Sequence, residues 1–393
     1  MFKLLAGHAR QLPQLRVVLL LMVLLGTVVV WGGRTQLTVV TAKSAPSPSA
    51  VSSPVLPVPE HRCVECHSDI TDTFRSVPHA RTLARAAQDD VLDGFSGQSF
   101  LNPLSKVDFH YRHQGDRLLV STPAYAREMT VAWVFGSGTH ARTPLITYID
   151  SEGKTSSIEH SVSWYPDSQL GVTLGMETLE ESNGVLCLGV PRTPAETVNC
   201  FGCHCTHIAV ADGQILFDEI LPGVGCARCH WNTTRHVQEM DLGLPATIER
   251  FKELTPQESI DRCGECHRRA SEMGGEITTD DKTLPRFASV GLVQSACFKR
   301  QSDVLRADGE PMRLDCTNCH NPHQPTSQDW RVHTSVCLNC HDNGEKRARD
   351  CTIATRDQNC LPCHMPKLPA NEHLSFTDHW IRVREEKKND VLP

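Results

Sequence analysis

Residues 200–230 read CFGCHCTHIAVADGQILFDEILPGVGCARCH, and the pentads at its two ends govern how the whole chain is read. Cys200-Phe-Gly-Cys203-His204 and Cys226-Ala-Arg-Cys229-His230 share the pattern Cys-x-x-Cys-His. It returns at Cys263-Gly-Glu-Cys266-His267, Cys316-Thr-Asn-Cys319-His320, Cys337-Leu-Asn-Cys340-His341 and Cys360-Leu-Pro-Cys363-His364, with an earlier copy at Cys63-Val-Glu-Cys66-His67. This is the attachment signature of c-type haem. The two thiols form thioether bonds to the haem vinyl groups, and the adjacent imidazole binds iron from the proximal side. Seven copies, from 18 Cys and 20 His in 393 residues, are far beyond chance. The sequence therefore implies seven covalently bound c-type haems. A zinc site would need two further ligands at knuckle or ribbon spacing and no His after every second Cys. Iron–sulfur clusters use other spacing families.

The composition agrees. Aromatics at 6% and hydrophobics at 39% are thin for a protein-only core, but haem macrocycles are large apolar bodies that replace side-chain core. Length alone suggests two or three domains. A net charge of −7, before haem propionates are counted, argues against nucleic acid or an anionic membrane surface as partner. Redox partner proteins, one donor and one acceptor, are expected instead. Lys3, Arg10 and Arg16 precede an unbroken apolar run from Val17 to Trp31, and Arg34 follows. Residues 1–41 read as a signal peptide or a membrane anchor, with 17–33 as the hydrophobic helix. Both readings export the remainder, to the periplasm or the outer face of the cytoplasmic membrane. Residues 42–60 are a Pro/Ser-rich linker.

Residues 61–104 form a first haem segment, in which His79 follows the motif by twelve residues and is a candidate distal ligand. From 105 to 190 the texture is β-rich without a haem motif. Alternating or β-branched runs stand at Arg117–Thr122, Met129–Phe135, Leu145–Ile149 and Ser156–Trp164. Gly136-Ser137-Gly138 is a turn that lacks the Lys of a phosphate loop. His110, His113, His140 and His160 lie here and read first as surface or packed residues, with His110 and His140 also open as distal ligands. Residues 191–385 form a six-haem domain whose first cysteines are spaced by 26, 37, 53, 21 and 23, leaving room only for short helices and loops. Such tethers bring macrocycles close and favour rapid electron tunnelling. Helices are expected at Ala246–Leu254, Pro256–Arg268 and Asp378–Lys387, and 386–393 is a tail. Proximal ligands are His67, His204, His230, His267, His320, His341 and His364. The best-placed distal candidates are His79, His207, His236, His323, His333, His373 and His379. Bis-histidine iron suits electron transfer, whereas an iron without its second ligand can bind substrate.

The stretch Gly223-Val224-Gly225-Cys226 through His230, followed by His236, resembles an element of multihaem cytochromes of the superfamily that includes hydroxylamine oxidoreductase and its tetrahaem electron-acceptor cytochrome. Cys316–His320 with Asn321-Pro322-His323, and Cys360–Lys367 with His373 and Phe376-Thr377-Asp378-His379-Trp380-Ile381, resemble two further elements. The resemblance implies distal roles for His236, His323 and His379, often to a haem other than the nearest. Ala227-Arg228 and Trp231-Asn232 depart from its usual acidic and Gly-Pro residues. The Cys-x-x-Cys-Lys site of nitrite-reducing relatives is absent. The four tyrosines, Tyr111, Tyr125, Tyr148 and Tyr165, all precede the haem-dense region, which argues against the tyrosine-linked haem of hydroxylamine oxidation.

The expected fold is mainly α and irregular, a multihaem cytochrome c array of short helices with a small antiparallel β subdomain and an N-terminal hydrophobic helix. The expected role is electron transfer between respiratory partners. The alternative is an oxidoreductase acting on a small nitrogen or sulfur compound at one open haem. Four cysteines stand outside the motifs, and an even number in an exported chain suggests disulfides, Cys187–Cys205 and Cys297–Cys351 among three connectivities.

Overall fold

Cys at i and i+3 and His at i+4 share one face of a helix, so a haem motif folds naturally at a helix end. The chain uses this repeatedly. A computed structural model describes residues 58–115, 117–177, 184–305, 309–341 and 359–384. The first motif lies in helix α1 (Glu60–Phe74), and the backbone leaves helical geometry at His67 itself (φ −123°, ψ 40°). Helix α2 (Asp89–Phe95) follows. Helix α3 (Pro194–His204) and helix α6 (Pro256–His267) each end on a motif histidine. Each starts with the same device. Thr193 and Thr255 cap the backbone N–H of Glu196 and Glu258, whose carboxylates reach back, and proline occupies the first turn. Between them stand α4 (Cys226–Cys229) and α5 (Thr233–Asp241). After them come α7 (Ala288–Gln294), α8 (Ala296–Lys299), α9 (Cys316–Cys319), α10 (Trp330–His341) and α11 (Leu361–His364). Six of the seven motifs thus terminate or constitute a short helix.

The region from 83 to 192 builds two main antiparallel sheets. One has five strands: β1 (Leu83–Arg85), β6 (Trp133–Phe135), β7 (Thr143–Ile149), β8 (Thr155–His160) and β11 (Gly189–Arg192), in that spatial order. The other orders β2 (Ser99–Leu101), β3 (Asp108–Gln114), β4 (Arg117–Thr122) and β5 (Tyr125–Val131). A two-stranded ribbon pairs β9 (Val162–Trp164) with β10 (Leu170–Val172). Phe95, Phe109, Leu118, Val120, Ile146 and Ile158 form the core between these elements. A second cluster, with Trp133, Leu145, Phe201, Cys205 and Ile215, joins the five-stranded sheet to α3.

The expected strand at 117–122 is β4. The run 129–135 divides at Ala132, because β5 and β6 belong to different sheets. The run 156–164 divides at Ser161, whose backbone N–H turns to Leu188. The fold is therefore mixed α/β, with more sheet than a small subdomain. Two expected helices are corrected. Residues 246–254 contain only the single turn Phe251–Glu253, since the Glu239 carboxylate captures the backbone N–H and hydroxyl of Thr247. Residues 378–384 are irregular, because buried Asp378 draws Trp380 N–H, Arg382 and Arg384 around itself. Helix α6 stands where it was expected. The hydrophobic run 17–33 lies outside the described residues. Among the described residues no helix is long and apolar enough to cross a membrane.

Cys187 and Cys205 are buried free thiols in separate core clusters, so the expected bridge between them is not formed. Cys205 instead donates to the Phe201 carbonyl at 2.8 Å. Cys297 is also a free thiol, and Cys351 lies outside the described residues.

His160 is a structural residue of the β core. Nδ1 contacts the Leu188 carbonyl at 2.6 Å and Nε2 the Tyr111 hydroxyl at 2.6 Å. Burial pushes its pKa down to about 4 from 6.5. Between those values the unfolded chain binds the extra proton, so the stability tied to neutral His160 is complete above pH 6.5 and is lost as pH falls toward 4. His160→Gln is expected to flatten that part of the stability–pH profile, measured by urea unfolding across pH 4–7.

Candidate haem-binding cavity

All seven motifs reach one continuous cavity of about 2660 Å³. That is several times the ~300–1,000 Å³ of a usual single-ligand site. Every motif histidine lines it, with the motif cysteines except Cys200 and Cys363. Of the distal candidates, His79, His236, His323, His333 and His379 line it too, as does His140. His207 and His373 do not. His207 sits on the short strand Cys205–His207. His373 stacks on Tyr165 (centroids 4.4 Å apart) and places Nδ1 2.8 Å from Asp167, which fastens the C-terminal segment to the ribbon β9–β10.

Inside the cavity imidazoles meet in pairs. His67 faces His236 with ring centroids 6.4 Å apart, and His230 faces His323 at 5.9 Å with planes 5° apart. His267 meets His79 at 5.9 Å, close to perpendicular. His320 has two neighbours, His379 at 6.2 Å and His333 at 5.9 Å. Two metal–imidazole bonds of about 2.0–2.1 Å, back to back, put ring centres roughly 6 Å apart. The members of each pair are thus spaced so that they would hold a haem iron between them. His236 Nδ1 is buried without a hydrogen-bond partner, another sign of a ring held for something other than protein contact.

Local structure aims these rings. His379 Nδ1 meets the Thr377 carbonyl at 2.9 Å, which turns Nε2 inward, whereas His333 Nε2 is taken by the Ser327 carbonyl at 3.0 Å. His379 is accordingly the better partner for His320. Gly291 makes its placement possible: a Cβ there would lie 2.8 Å from Trp380 N. Asn232, in left-handed geometry (φ 65°), starts α5 and so directs His236. His204 Nδ1 meets the Thr82 carbonyl at 2.9 Å, and His364 Nδ1 the Arg382 carbonyl at 3.1 Å. Carbonyl partners of this kind fix ligand tautomer and ring orientation. Burial lowers the pKa of His79, His204, His323 and His379, and takes His267 and His320 to about 4. These rings are neutral at pH 7, with a nitrogen lone pair available to a metal.

Thiols of different motifs also meet. Cys63 lies within hydrogen-bonding reach of Cys226, Cys203 of Cys266, and Cys263 of Cys316. The Cys263 motif therefore adjoins two others, and His267 feels the charges of His79, His379, His204 and His320. The departures from the expected pattern around Cys226 have partners here. Arg228 pairs with Glu265 at 3.3 Å, and Trp231 lies under the Arg262 guanidinium, 3.3 Å from the ring centre.

Sequence reading did not anticipate the two Thr-Pro-x-Glu caps upstream of Cys200 and Cys263. They were visible as capping-box signatures.

The family described as "Cytochrome c554 and c-prime" matches residues 173–230, which include the Cys200 and Cys226 motifs. This match supports c-type haem attachment in that stretch. No curated protein matches the chain. A solved structure described as the outer cell wall cytochrome OcwA is similar at 12% identity and a TM-score of 0.48, covering 84% of this chain and 80% of that one.

Proposed function

We propose that the chain is an exported heptahaem c-type cytochrome that passes electrons singly between a donor and an acceptor protein of a respiratory chain. The observation that carries this reading is the set of four motif imidazoles, His67, His230, His267 and His320, each facing a second imidazole across 5.9–6.4 Å. Bound haem would supply one-electron iron chemistry. The chain's own residues hold neutral ligands at fixed spacing and keep neighbouring attachment sites in contact. The thiol approaches pair the Cys63 motif with the Cys226 motif and the Cys263 motif with those of Cys200 and Cys316, while the ion pair Arg228–Glu265 at 3.3 Å joins the Cys226 and Cys263 motifs.

A second reading, catalysis on a small nitrogen or sulfur compound, is favoured by His204. Its ring neighbour is Phe135 at 4.9 Å, and no second imidazole faces it among the described residues. His341 and His364 likewise have no facing imidazole there. Electron paramagnetic resonance of the oxidised protein separates the readings. Low-spin bis-imidazole signals dominate on the carrier reading. A high-spin signal altered by nitrite or hydroxylamine supports the catalytic one, and a spectrum without high-spin iron removes it.

A further inference from the structure

The hairpin formed by the strands Lys367–Pro369 and Ser375–Thr377 joins the last haem motif to His379. Its two ends are held by different parts of the molecule. At the base, Asp378 donates its backbone N–H to the Pro366 carbonyl at 3.0 Å, and the His379 carbonyl accepts from the Ser295 hydroxyl at 3.2 Å. At the tip, Asn371 Oδ1 accepts the backbone N–H groups of His373 and Leu374 at 2.9 and 2.8 Å, which fixes the turn locally. The tip then docks on the turn between β9 and β10. The His373 ring lies on Tyr165 with planes 15° apart, places Nδ1 2.8 Å from Asp167 and leaves its side chain 7% exposed. Asn371 also donates to the Tyr165 hydroxyl at 3.2 Å, and Glu372 stands 3.3 Å from His373 Nε2. Gly171 of β10 makes the seat possible, since a Cβ there would lie 2.4 Å from that nitrogen.

The consequence of this clamp is felt at His320. Two imidazoles stand within coordination spacing of that ring, His333 with centroids 5.9 Å apart and His379 at 6.2 Å. An iron bound by His320 has room for one of them. Distance alone does not choose. The hydrogen bond of His333 Nε2 to the Ser327 carbonyl at 3.0 Å is a single neutral contact, a modest hold when iron competes for the same nitrogen. His379, by contrast, follows a frame that is held at both ends.

We propose that the contacts of His373 with Asp167, Tyr165 and Gly171 are a positioning device for the haem at Cys316. By pinning the hairpin tip to the β region they hold His379 opposite His320 and keep His333 from taking its place. The proposal rests on the haem reading above. Groups that orient a metal ligand belong to its site, and a ligand is only as well placed as the shell that supports it.

The test uses purified holoprotein, read by electron paramagnetic resonance of the oxidised form and by redox titration. Asp167 is exposed, so Asp167→Ala removes the carboxylate without emptying a core, and Gly171→Ala drives His373 from its seat by a second route. Both are expected to replace one low-spin bis-imidazole signal by another at different g-values and to shift one component of the redox curve. Asp167→Asn, which keeps an acceptor for Nδ1, should restore the wild-type signal. Adding His333→Ala to Asp167→Ala should turn the displaced signal high-spin, whereas His333→Ala alone leaves the wild-type spectrum unchanged. Asp167→Ala and Gly171→Ala spectra and redox curves that superimpose on the wild type overturn the proposal, whatever happens to the unfolding midpoint. So does a His333→Ala variant that by itself converts a signal to high spin, because His333 would then be the resident ligand. A wild type without haem in its mass spectrum removes the haem reading and the proposal together, while a normal haem complement with unresponsive variants removes the proposal alone.

Discussion

Replacing Cys263 and Cys266 together by alanine is expected to leave a protein with six haems and an interrupted array. The Cys263 motif is the meeting place of the cavity. Cys266 lies within hydrogen-bonding reach of Cys203 and Cys263 of Cys316, and the His267 ring meets His79 with centroids 5.9 Å apart. Removing any terminal attachment site shortens the chain of haems, whereas removing this one takes out the motif that adjoins those of Cys200 and Cys316 and meets the Cys226 motif through Arg228–Glu265 at 3.3 Å. Flash-initiated reduction followed by optical spectroscopy should show electrons arriving at one end and equilibrating with the other much more slowly than in the wild type. A Cys63→Ala/Cys66→Ala control, also missing one haem, should retain fast equilibration among the rest. Equal rates in the two variants would mean that the junction lies elsewhere.

The largest expected loss of stability is at Phe201→Ala. Phe201 stands between the two cysteines of its own haem motif and is fully buried against Trp133, Phe135 and Phe217, with ring centroids 5.7, 5.0 and 5.7 Å away. It is the side chain that ties the haem-bearing helix α3 to the five-stranded sheet. Phe→Ala in a core costs about 3–5 kcal/mol. Against a total stability of about 5–15 kcal/mol that is a large share. The denaturation midpoint should fall by roughly 6–20 °C. The neighbouring Phe135 ring also touches His204 at 4.9 Å, so the optical spectrum of that haem should broaden in the same variant. A midpoint within 2 °C of wild type would show that this aromatic cluster is not what holds the two regions together.

The attachment chemistry was legible because it is local: five consecutive residues carry the whole signature, and its helical i, i+3, i+4 geometry needs nothing from the rest of the chain. Strand β4 was legible for the same reason, a short apolar run, Leu118-Leu119-Val120, bounded by turn residues. Distal ligation was only partly legible, because it is decided across the fold. His236, His323 and His379, implied by resemblance, face motif imidazoles, and His79 joins them from a distance of 188 residues in sequence. His373 has the same spacing credentials but is claimed by Asp167 and Tyr165, contacts formed with a segment some 200 residues earlier. The helix expected at 378–387 failed because a buried carboxylate, Asp378, outbids helical hydrogen bonding over 378–384 by collecting donors from its own neighbourhood. Helix 246–254 failed likewise at Glu239 and Thr247. In both places one side-chain acceptor, whose burial the sequence does not announce, redirected the local backbone.

The central claim is that every Cys-x-x-Cys-His pentad carries a haem. Intact-mass spectrometry under denaturing conditions, on protein matured in a host competent for c-type haem attachment, addresses it directly. The account predicts a mass equal to the polypeptide plus seven haems, unchanged by acid–acetone extraction because thioether bonds survive it. A mass corresponding to the bare polypeptide, or to fewer than seven haems, would contradict it.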